Sequence, residues 1–313
     1  MRWEDLPESQ NVEDRRGDEG GGFRRGGGGL GGLPGGAGGL SIGTIVILGL
    51  IAYATGIDPR LLIGTADQFS RQQQPRVEQV QPGQPGRPGA SPKDETGRFV
   101  TRILASTEST WKDVFARSKR TYRPPVLVLY ARQTHANCGG TAMAAMGPFY
   151  CPADRKIYLD TSFFQMIETR FRGCDVGSQS CRFAQAYVIA HEVAHHVQNE
   201  LGILANAQRA QQAAGGRTPE ANRIQVRVEL QADCLAGIWA NRAQERLSPG
   251  DIEAALRTAS AIGDDTLQRR SQGQVVPDSF THGTSEQRQR WFYTGFKQGT
   301  VDSCNTFAPT ARL

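Results

Sequence analysis

One apolar segment without charged residues constrains what this chain can fold into more than any other feature. Residues 40–57 are mainly apolar, and no charged residue occurs between Arg25 and Asp58. Crossing the hydrocarbon layer of a membrane takes roughly 17–25 such residues. We therefore expect a transmembrane helix or signal anchor at residues 40–57. The small residues Ala52 and Ala54 leave open a cleaved signal peptide instead.

The sequences on both sides of this segment are too poor in apolar residues to form a core. Residues 1–39 are polar and then rich in glycine, and residues 58–97 include a stretch rich in Pro, Gly and Gln. Such compositions bury little apolar surface, so they do not offset the conformational entropy lost on folding. We expect a disordered tail at residues 1–39, a linker at residues 58–97 and one folded domain at residues 98–313.

The cysteines of the chain all follow the apolar segment. They are Cys138, Cys151, Cys174, Cys181, Cys234 and Cys304. An even number on one side of such a segment is typical of disulfides formed in an oxidising compartment. The alternative is a cysteine zinc site, but the sequence has no C-x-x-C motif. Of the many pairings, we expect Cys174 with Cys181, Cys138 with Cys151, and Cys234 with Cys304. The domain is then exported, periplasmic or extracellular, and held at the membrane by a single helix.

The charge of the chain does not by itself indicate a partner. The formal net charge is +5, which suits an acidic partner or an anionic membrane surface, but the Lys and Arg residues form no long run. No RNP-type, zinc-finger or zinc-knuckle pattern accompanies the charge. We therefore expect no nucleic-acid partner.

Apolar periodicity predicts an α+β domain that is mainly helical, with a small β-sheet. Strands are expected at residues 126–130 and 156–160. Helices are expected over residues 98–118 and 161–171, and centred on residues 183–199, 219–245, 250–260 and 286–297.

A stretch of five residues, His191-Glu192-Val193-Ala194-His195, carries the clearest chemistry in the sequence. Two histidines four residues apart on a helix project from one face, so one zinc ion can bind both. Glu192 is rotated to the side of this pair, where its carboxylate can act as general base on a water at the metal without being a ligand. The rest of the helix is apolar, and these polar residues would be costly in a core unless they were paired or metal-bound.

A third zinc ligand is expected downstream, because a catalytic zinc ion has three protein ligands and one open position. The positions that carry Gly and His in metzincins hold Gln198 and Leu201, which excludes that class. Glu229 and Asp233 share one face of a later predicted helix. We predict that Glu229 is the third ligand of one zinc ion per chain. Asp233 then accepts the free ring N–H of a zinc-bound histidine, as in gluzincins.

The remaining histidines have less supporting context. His282 lies in a loop before a predicted helix, and loops often carry catalytic groups. We predict that His282 either stabilises the oxyanion that forms when water attacks a peptide carbonyl or makes a hydrogen bond at the start of the helix. His196 is expected to face away from the ligand pair, either behind the ligands or at the surface, and His135 is expected to be structural.

Several segments together resemble the bacterial membrane-anchored proteins called putative neutral zinc metallopeptidases. The matching segments are Met1-Arg2-Trp3, the Gly-rich tail, the apolar span, Phe149-Tyr150-Cys151-Pro152-Ala153-Asp154, the zinc helix, Val228-Glu229-Leu230-Gln231-Ala232-Asp233-Cys234, Thr281-His282-Gly283, Gln287-Arg288 and Trp291-Phe292. The resemblance implies a zincin-like peptidase fold but no particular substrate.

The sequence therefore predicts a zinc-dependent peptidase that acts on protein or peptide near the membrane. Two alternatives stay open. The same site could hydrolyse a cell-wall peptide or another amide, or a catalytically idle binding or scaffolding module could retain zinc for stability. The intact Glu192 favours an enzyme, because zinc ligation does not require it.

Overall fold

The computed structural model describes residues 1–17, 92–138, 140–143 and 147–313. The helices of these parts are α1 (Glu95–Arg117), α2 (Ser162–Thr169), α3 (Gln179–Glu200), α4 (Ile203–Ala213), α5 (Pro219–Arg242), α6 (Asp251–Ala261), α7 (Asp264–Gln272) and α8 (Ser285–Gln298). The strands are β1 (Val12–Asp14), β2 (Val126–Tyr130), β3 (Gln133–Ala136), β4 (Gly140–Met143), β5 (Phe149–Cys151) and β6 (Lys156–Asp160). The predicted α+β class, mainly helical with a small sheet, is confirmed.

The main sheet has four strands in the order β1-β2-β6-β5. Strands β1, β2 and β6 are parallel, whereas β5 runs antiparallel to β6. Strands β2 and β6 have the predicted bounds and pair with Val128 opposite Tyr158. Their side chains are almost all buried, as expected for parallel strands covered on both faces. Strands β3 and β4 form a separate antiparallel pair.

Residues 1–17 are folded onto the domain, so the predicted disorder of residues 1–39 is wrong for this part. The side chains of Met1 and Trp3 are buried, and the Trp3 ring packs edge-on against Phe99 of α1. The prediction failed because the average composition of residues 1–39 is dominated by the glycine run at its end. The few large apolar side chains before that run are enough to dock the segment on an existing core.

Polar contacts fix this segment in register with the sheet. Nζ of Lys156 on β6 lies 2.6 Å from Oε1 of Glu13 on β1. The guanidinium of Arg16 binds the carboxylates of Asp14 and Asp94, and Asp94 also caps the N-terminus of α1. The folded domain therefore comprises residues 1–17 together with the C-terminal part, and α1 begins three residues before the predicted boundary at residue 98.

Helix α5 packs against both α3 and α8, and its contact with α8 brings the two backbones together. A Cβ atom at Gly237 would lie 2.1 Å from the backbone oxygen of Phe292, and one at Gly295 would lie 1.8 Å from that of Cys234. Only glycine permits this approach at either position. The approach fixes how far side chains of α8 reach into the region between α5 and α3.

The six cysteines form three disulfides, Cys138–Cys151, Cys174–Cys181 and Cys234–Cys304, which are the pairs expected from the sequence. The predicted membrane segment at residues 40–57 lies outside the described residues, as do most of the predicted tail and linker. None of the described helices has both the length and the hydropathy of a membrane span.

Candidate metal centre

Helices α3 and α5 place three potential metal ligands next to one another. His191 and His195 lie one turn apart on α3, and Glu229 faces them from α5. The Oε2 atom of Glu229 lies 3.2 Å from Nε2 of His191 and 3.4 Å from Nε2 of His195. The structure therefore brings together the three residues that the sequence analysis predicted as ligands.

The spacing of these atoms fits a tetrahedral zinc site. Zinc–nitrogen and zinc–oxygen bonds of about 2.0–2.1 Å at tetrahedral angles separate the ligand atoms by about 3.3–3.4 Å, close to the two distances above. All three potential ligand atoms lie within 4.8 Å of one another, and no fourth His, Cys, Asp or Glu of the described residues joins the group. Three protein ligands are typical of catalytic zinc sites, whereas structural sites have four.

Asp233 lies behind His191, at the position predicted for it. Its Oδ1 atom is 2.9 Å from Nδ1 of His191, so Nδ1–H donates to the carboxylate and Nε2 is left for the metal side of the ring. Three further bonds satisfy the buried carboxylate. Arg288 donates from Nε to Oδ2 at 2.8 Å and from Nη2 to Oδ1 at 2.9 Å, and the Tyr187 hydroxyl donates to Oδ1 at 2.6 Å.

Two glutamines hold the other two potential ligands. Nδ1 of His195 lies 2.9 Å from Oε1 of Gln198, whose Nε2 donates to the backbone oxygen of Val228 on α5. Nε2 of Gln225 donates to Oε1 of Glu229 at 2.8 Å. Neither role is predicted from the sequence. The signal was their spacing, three residues after His195 and four before Glu229, which places each glutamine on the same helix face as its ligand.

Burial and charge oppose one another at these groups. Burial would raise the pKa of Glu229, but the neighbouring His195 and His191 hold this pKa well below its usual value. For His191 the signs are reversed. Burial would lower the pKa of this histidine, but the carboxylates of Asp233 and Glu229 raise it to about 10. Since zinc binds a neutral imidazole, protons compete with zinc for these histidines.

Glu192 lies beside the potential ligands on α3, and its carboxylate is not held in place. The side chain is buried, and burial raises the pKa of Glu192, although the neighbouring His195 and His191 partly oppose this effect. In the described parts of the chain, no side-chain or backbone group donates a hydrogen bond to this carboxylate. A carboxylate with a raised pKa and no fixed partner is suited to accept and return a proton.

The loop between α7 and α8 brings His282 to the same region of α5. Gly283 has a φ of 92°, and a Cβ atom there would lie 3.2 Å from Leu230 and 3.3 Å from Val226. These two residues flank Glu229 on α5. Glu229 is close enough for its charge to contribute to the raised pKa of His282.

Asp264 orients this histidine, a role that the sequence analysis did not predict. Oδ1 of Asp264 lies 3.1 Å from Nδ1 of His282, and Oδ2 accepts the backbone N–H of Thr281, His282 and Gly283. Burial would lower the pKa of His282, but the charge of Asp264 raises it. The start of α8 is capped by Thr284 and Gln287 instead. The His282 ring therefore binds Asp264 and not the helix start.

The remaining two histidines lie apart from the three ligands. His196 is fully buried; its Nδ1 contacts the Tyr150 hydroxyl at 3.0 Å, and its Nε2 contacts the Arg123 backbone oxygen at 2.6 Å. It thus joins α3 to the edge strand β5. His135 lies on β3 with an exposed side chain.

Comparison with known proteins extends the resemblance to the whole chain. The family described as "Putative neutral zinc metallopeptidase" matches residues 1–307. Uncharacterized protein YpfJ of Escherichia coli (strain K12) is 46% identical over 315 residues, covering 98% of this chain and 99% of the relative. Uncharacterized protein Rv2575 of Mycobacterium tuberculosis is 38% identical over 273 residues, covering 82% and 85%. No solved structure matches the chain, so the zincin-like fold stays a prediction.

Proposed function

Because this chain belongs to the family of putative neutral zinc metallopeptidases, we propose that it is a zinc-dependent peptidase with its active site between α3, α5 and the loop before α8. The proposal depends mainly on one contrast. Each of the three potential ligands is held by an outer partner, whereas the Glu192 carboxylate beside them is not. Ligands with fixed orientations retain a metal ion. A carboxylate without a hydrogen-bond partner is able to accept a proton and return it.

The chain's residues divide the work of hydrolysis. His191, His195 and Glu229 hold one zinc ion per chain. Zinc, when bound, lowers the pKa of a water molecule and polarises the substrate carbonyl. Glu192 accepts a proton from the attacking water and donates it to the nitrogen of the leaving amine as the C–N bond breaks. His282 donates from Nε2 to the carbonyl oxygen as negative charge develops there.

The substrate and the compartment are part of the same proposal. We expect a peptide or protein substrate, because the proton delivered by Glu192 is needed by a poor leaving group such as an amine. We expect an oxidising compartment outside the cytosol, because the described cysteines are all paired and such disulfides rarely persist in the cytosol.

The experiment compares zinc-loaded wild type with Glu192→Gln in steady-state hydrolysis of a cleaved peptide. We expect kcat to fall by about 10²–10⁴-fold while the zinc content stays at one per chain, because only the proton acceptor is lost. Glu200→Gln, at the end of the same helix, is the matched control and should turn over like wild type. Equal turnover by Glu192→Gln and wild type would show that Glu192 is not the general base, and the proposed mechanism would be rejected.

A further inference from the structure

Arg288 is a buried cation directly behind the potential zinc ligands, and none of the catalytic roles above uses it. Its side chain is 3% exposed, and it forms a two-pronged ion pair with the fully buried Asp233. Its remaining N–H groups reach the backbone oxygen of Ile262 at 3.2 Å and the Tyr187 hydroxyl at 3.3 Å. An arginine fork of this kind fixes the plane of the carboxylate that it binds.

The close packing of α5 and α8 fixes the position of the Arg288 guanidinium relative to Asp233. Arg288 lies on α8 and Asp233 on α5, and these helices are in backbone contact at Gly237 and Gly295. The Tyr187 hydroxyl, from α3, approaches the same carboxylate oxygen as the His191 ring. Asp233 is thus held from α8 and α3 at once, and the carboxylate cannot rotate without breaking these bonds.

We propose that Arg288 is a positioning residue for the metal: with Tyr187 it fixes the Asp233 carboxylate, which in turn fixes the His191 ring and thereby sets the affinity for zinc. This inference rests on the proposed function, since it needs His191 to be a ligand. Loss of such an outer partner typically weakens metal binding by about 10–100-fold.

Zinc affinity of the full-length chain, measured by competition with a chelator, tests the role of Arg288. We expect Arg288→Lys, which keeps the charge but loses the fork, to weaken zinc binding by about 10–100-fold. Tyr187→Phe removes one bond to the same oxygen and should weaken it less. The matched control is Asn241→Ala, which removes a different hydrogen bond between α5 and α8, to the Phe296 backbone oxygen; it should lower thermal stability without changing zinc affinity.

The outcomes separate this inference from the proposed function. If Arg288→Lys and Tyr187→Phe bind zinc like wild type, Arg288 only joins the helices and the positioning role is wrong. If wild type binds no zinc, the proposed function falls first. Should Arg288→Lys not fold, Tyr187→Phe tests whether fixing the Asp233 carboxylate sets zinc affinity, because it removes one bond to Oδ1 and leaves the Arg288–Asp233 ion pair in place; wild-type affinity in this variant would then overturn the inference.

The two described parts of the chain on either side of residues 18–91 are in direct contact. Arg16, near the end of the first described part, binds Asp94 at the start of the second. Strand β1 pairs in register with β2, and Ser9 donates to the buried Glu108 of α1 at 2.7 Å. Residues 1–17 add strand β1 to the sheet and bury their large apolar side chains against the domain. They can do so only in direct contact with it.

We infer that residues 1–17 and residues 92–313 lie on the same side of any membrane that the chain enters. The two parts share one sheet, and strands on opposite sides of a bilayer cannot pair. Exchange of the segment between two copies would not change this, because every copy has the same orientation. A single crossing between residues 17 and 92, as the sequence analysis expected, would separate the two parts.

Cross-linking in intact membranes tests the contact itself. A carbodiimide joins a carboxylate to a neighbouring amine, and Glu13 and Lys156 are 2.6 Å apart with both side chains partly exposed. We expect an amide between the peptides that carry these residues in the full-length chain. Lys156→Arg keeps the ion pair but offers no amine, so the cross-link should disappear. Absence of the cross-link in wild type would contradict the inference.

Labelling of intact cells tests the side of the membrane directly. Gln10→Cys and Gln298→Cys each place one free thiol at an exposed position in a different described part. We expect a membrane-impermeant maleimide to label both before lysis, or both only after lysis. Labelling of one before lysis and the other only afterwards would establish a single crossing and overturn the inference.

Discussion

The carboxylate of Asp264 contacts His282 twice: Oδ2 accepts its backbone N–H at 2.6 Å, and Oδ1 lies 3.1 Å from Nδ1 of its ring. Asp233 contacts Nδ1 of His191 in the same way, at 2.9 Å. In both pairs a buried carboxylate binds Nδ1 of the imidazole ring and leaves Nε2 available to other groups. One pair belongs to a potential ligand and the other to a potential oxyanion donor.

Substitution of Asp264 should change the pH dependence of turnover. The charge of Asp264 raises the pKa of His282, so the ring keeps its second proton, and its ability to donate from Nε2, to higher pH. In Asp264→Asn this pKa falls, and the alkaline limb of kcat should move to lower pH. The measurement is a pH profile of kcat for wild type and variant. Asp265→Asn, one position along, is the matched control because Asp265 contacts Ser285 and not His282.

Removal of the ring itself should have a larger effect. His282→Ala loses the proposed oxyanion donor, so kcat should fall by about 10²–10³-fold with zinc content unchanged. Steady-state kinetics on the zinc-loaded chain provide the check. Turnover close to that of wild type would assign His282 to the packing of the loop and remove it from the catalytic groups.

Zinc occupancy checks the ligand set independently of activity. Wild type should retain one zinc ion per chain after dialysis, and His195→Ala and Glu229→Ala should each retain far less, because two protein ligands hold zinc weakly. Elemental analysis measures this occupancy. His135→Ala, at an exposed position on β3, serves as control. Wild-type occupancy in either ligand variant would show that the ligands are assigned incorrectly.

The parts of the site that follow helix spacing could be predicted from the sequence. His191 and His195 share a face because they are four residues apart, and the same rule pairs Glu229 with Asp233. The contact between Arg288 and Asp233 spans 55 positions and depends on a helix crossing that no local pattern specifies. Sequence patterns predict which residues share a helix face. Contacts between helices depend on how the helices pack against one another.

The fold shows the same division. The strands at residues 126–130 and 156–160 were predicted because runs of apolar residues mark them. Strands β1 and β5 have three residues each, too short for any periodicity, and they form only because β2 and β6 offer them an edge. Prediction therefore succeeded for the two strands with their own apolar pattern and failed for these short edge strands. The sequence patterns also did not predict helices α4 and α7.

Reduction of the disulfides should destabilise the domain unequally. Cys234 and Cys304 close a loop with a separation of 70 residues, whereas Cys174 and Cys181 are 7 apart. Loop-closure entropy assigns about 4 kcal/mol to the longer loop and about 2 kcal/mol to the shorter one. Urea unfolding of the Cys234→Ser/Cys304→Ser and Cys174→Ser/Cys181→Ser double variants measures the difference. A larger loss from the shorter loop would contradict the entropic account.

The N-terminal segment should contribute to stability as a core element does. Trp3 is 7% exposed and packs on Phe99, so Trp3→Ala leaves a cavity beside α1 and should lower the free energy of unfolding by about 3–5 kcal/mol. Gln10→Ala, at an exposed position of the same segment, should change it by less than about 0.5 kcal/mol. Urea unfolding of the full-length chain measures both changes. If Trp3→Ala were as stable as wild type, residues 1–17 would not be packed on the domain, and the inferred common side of the membrane would lose its basis.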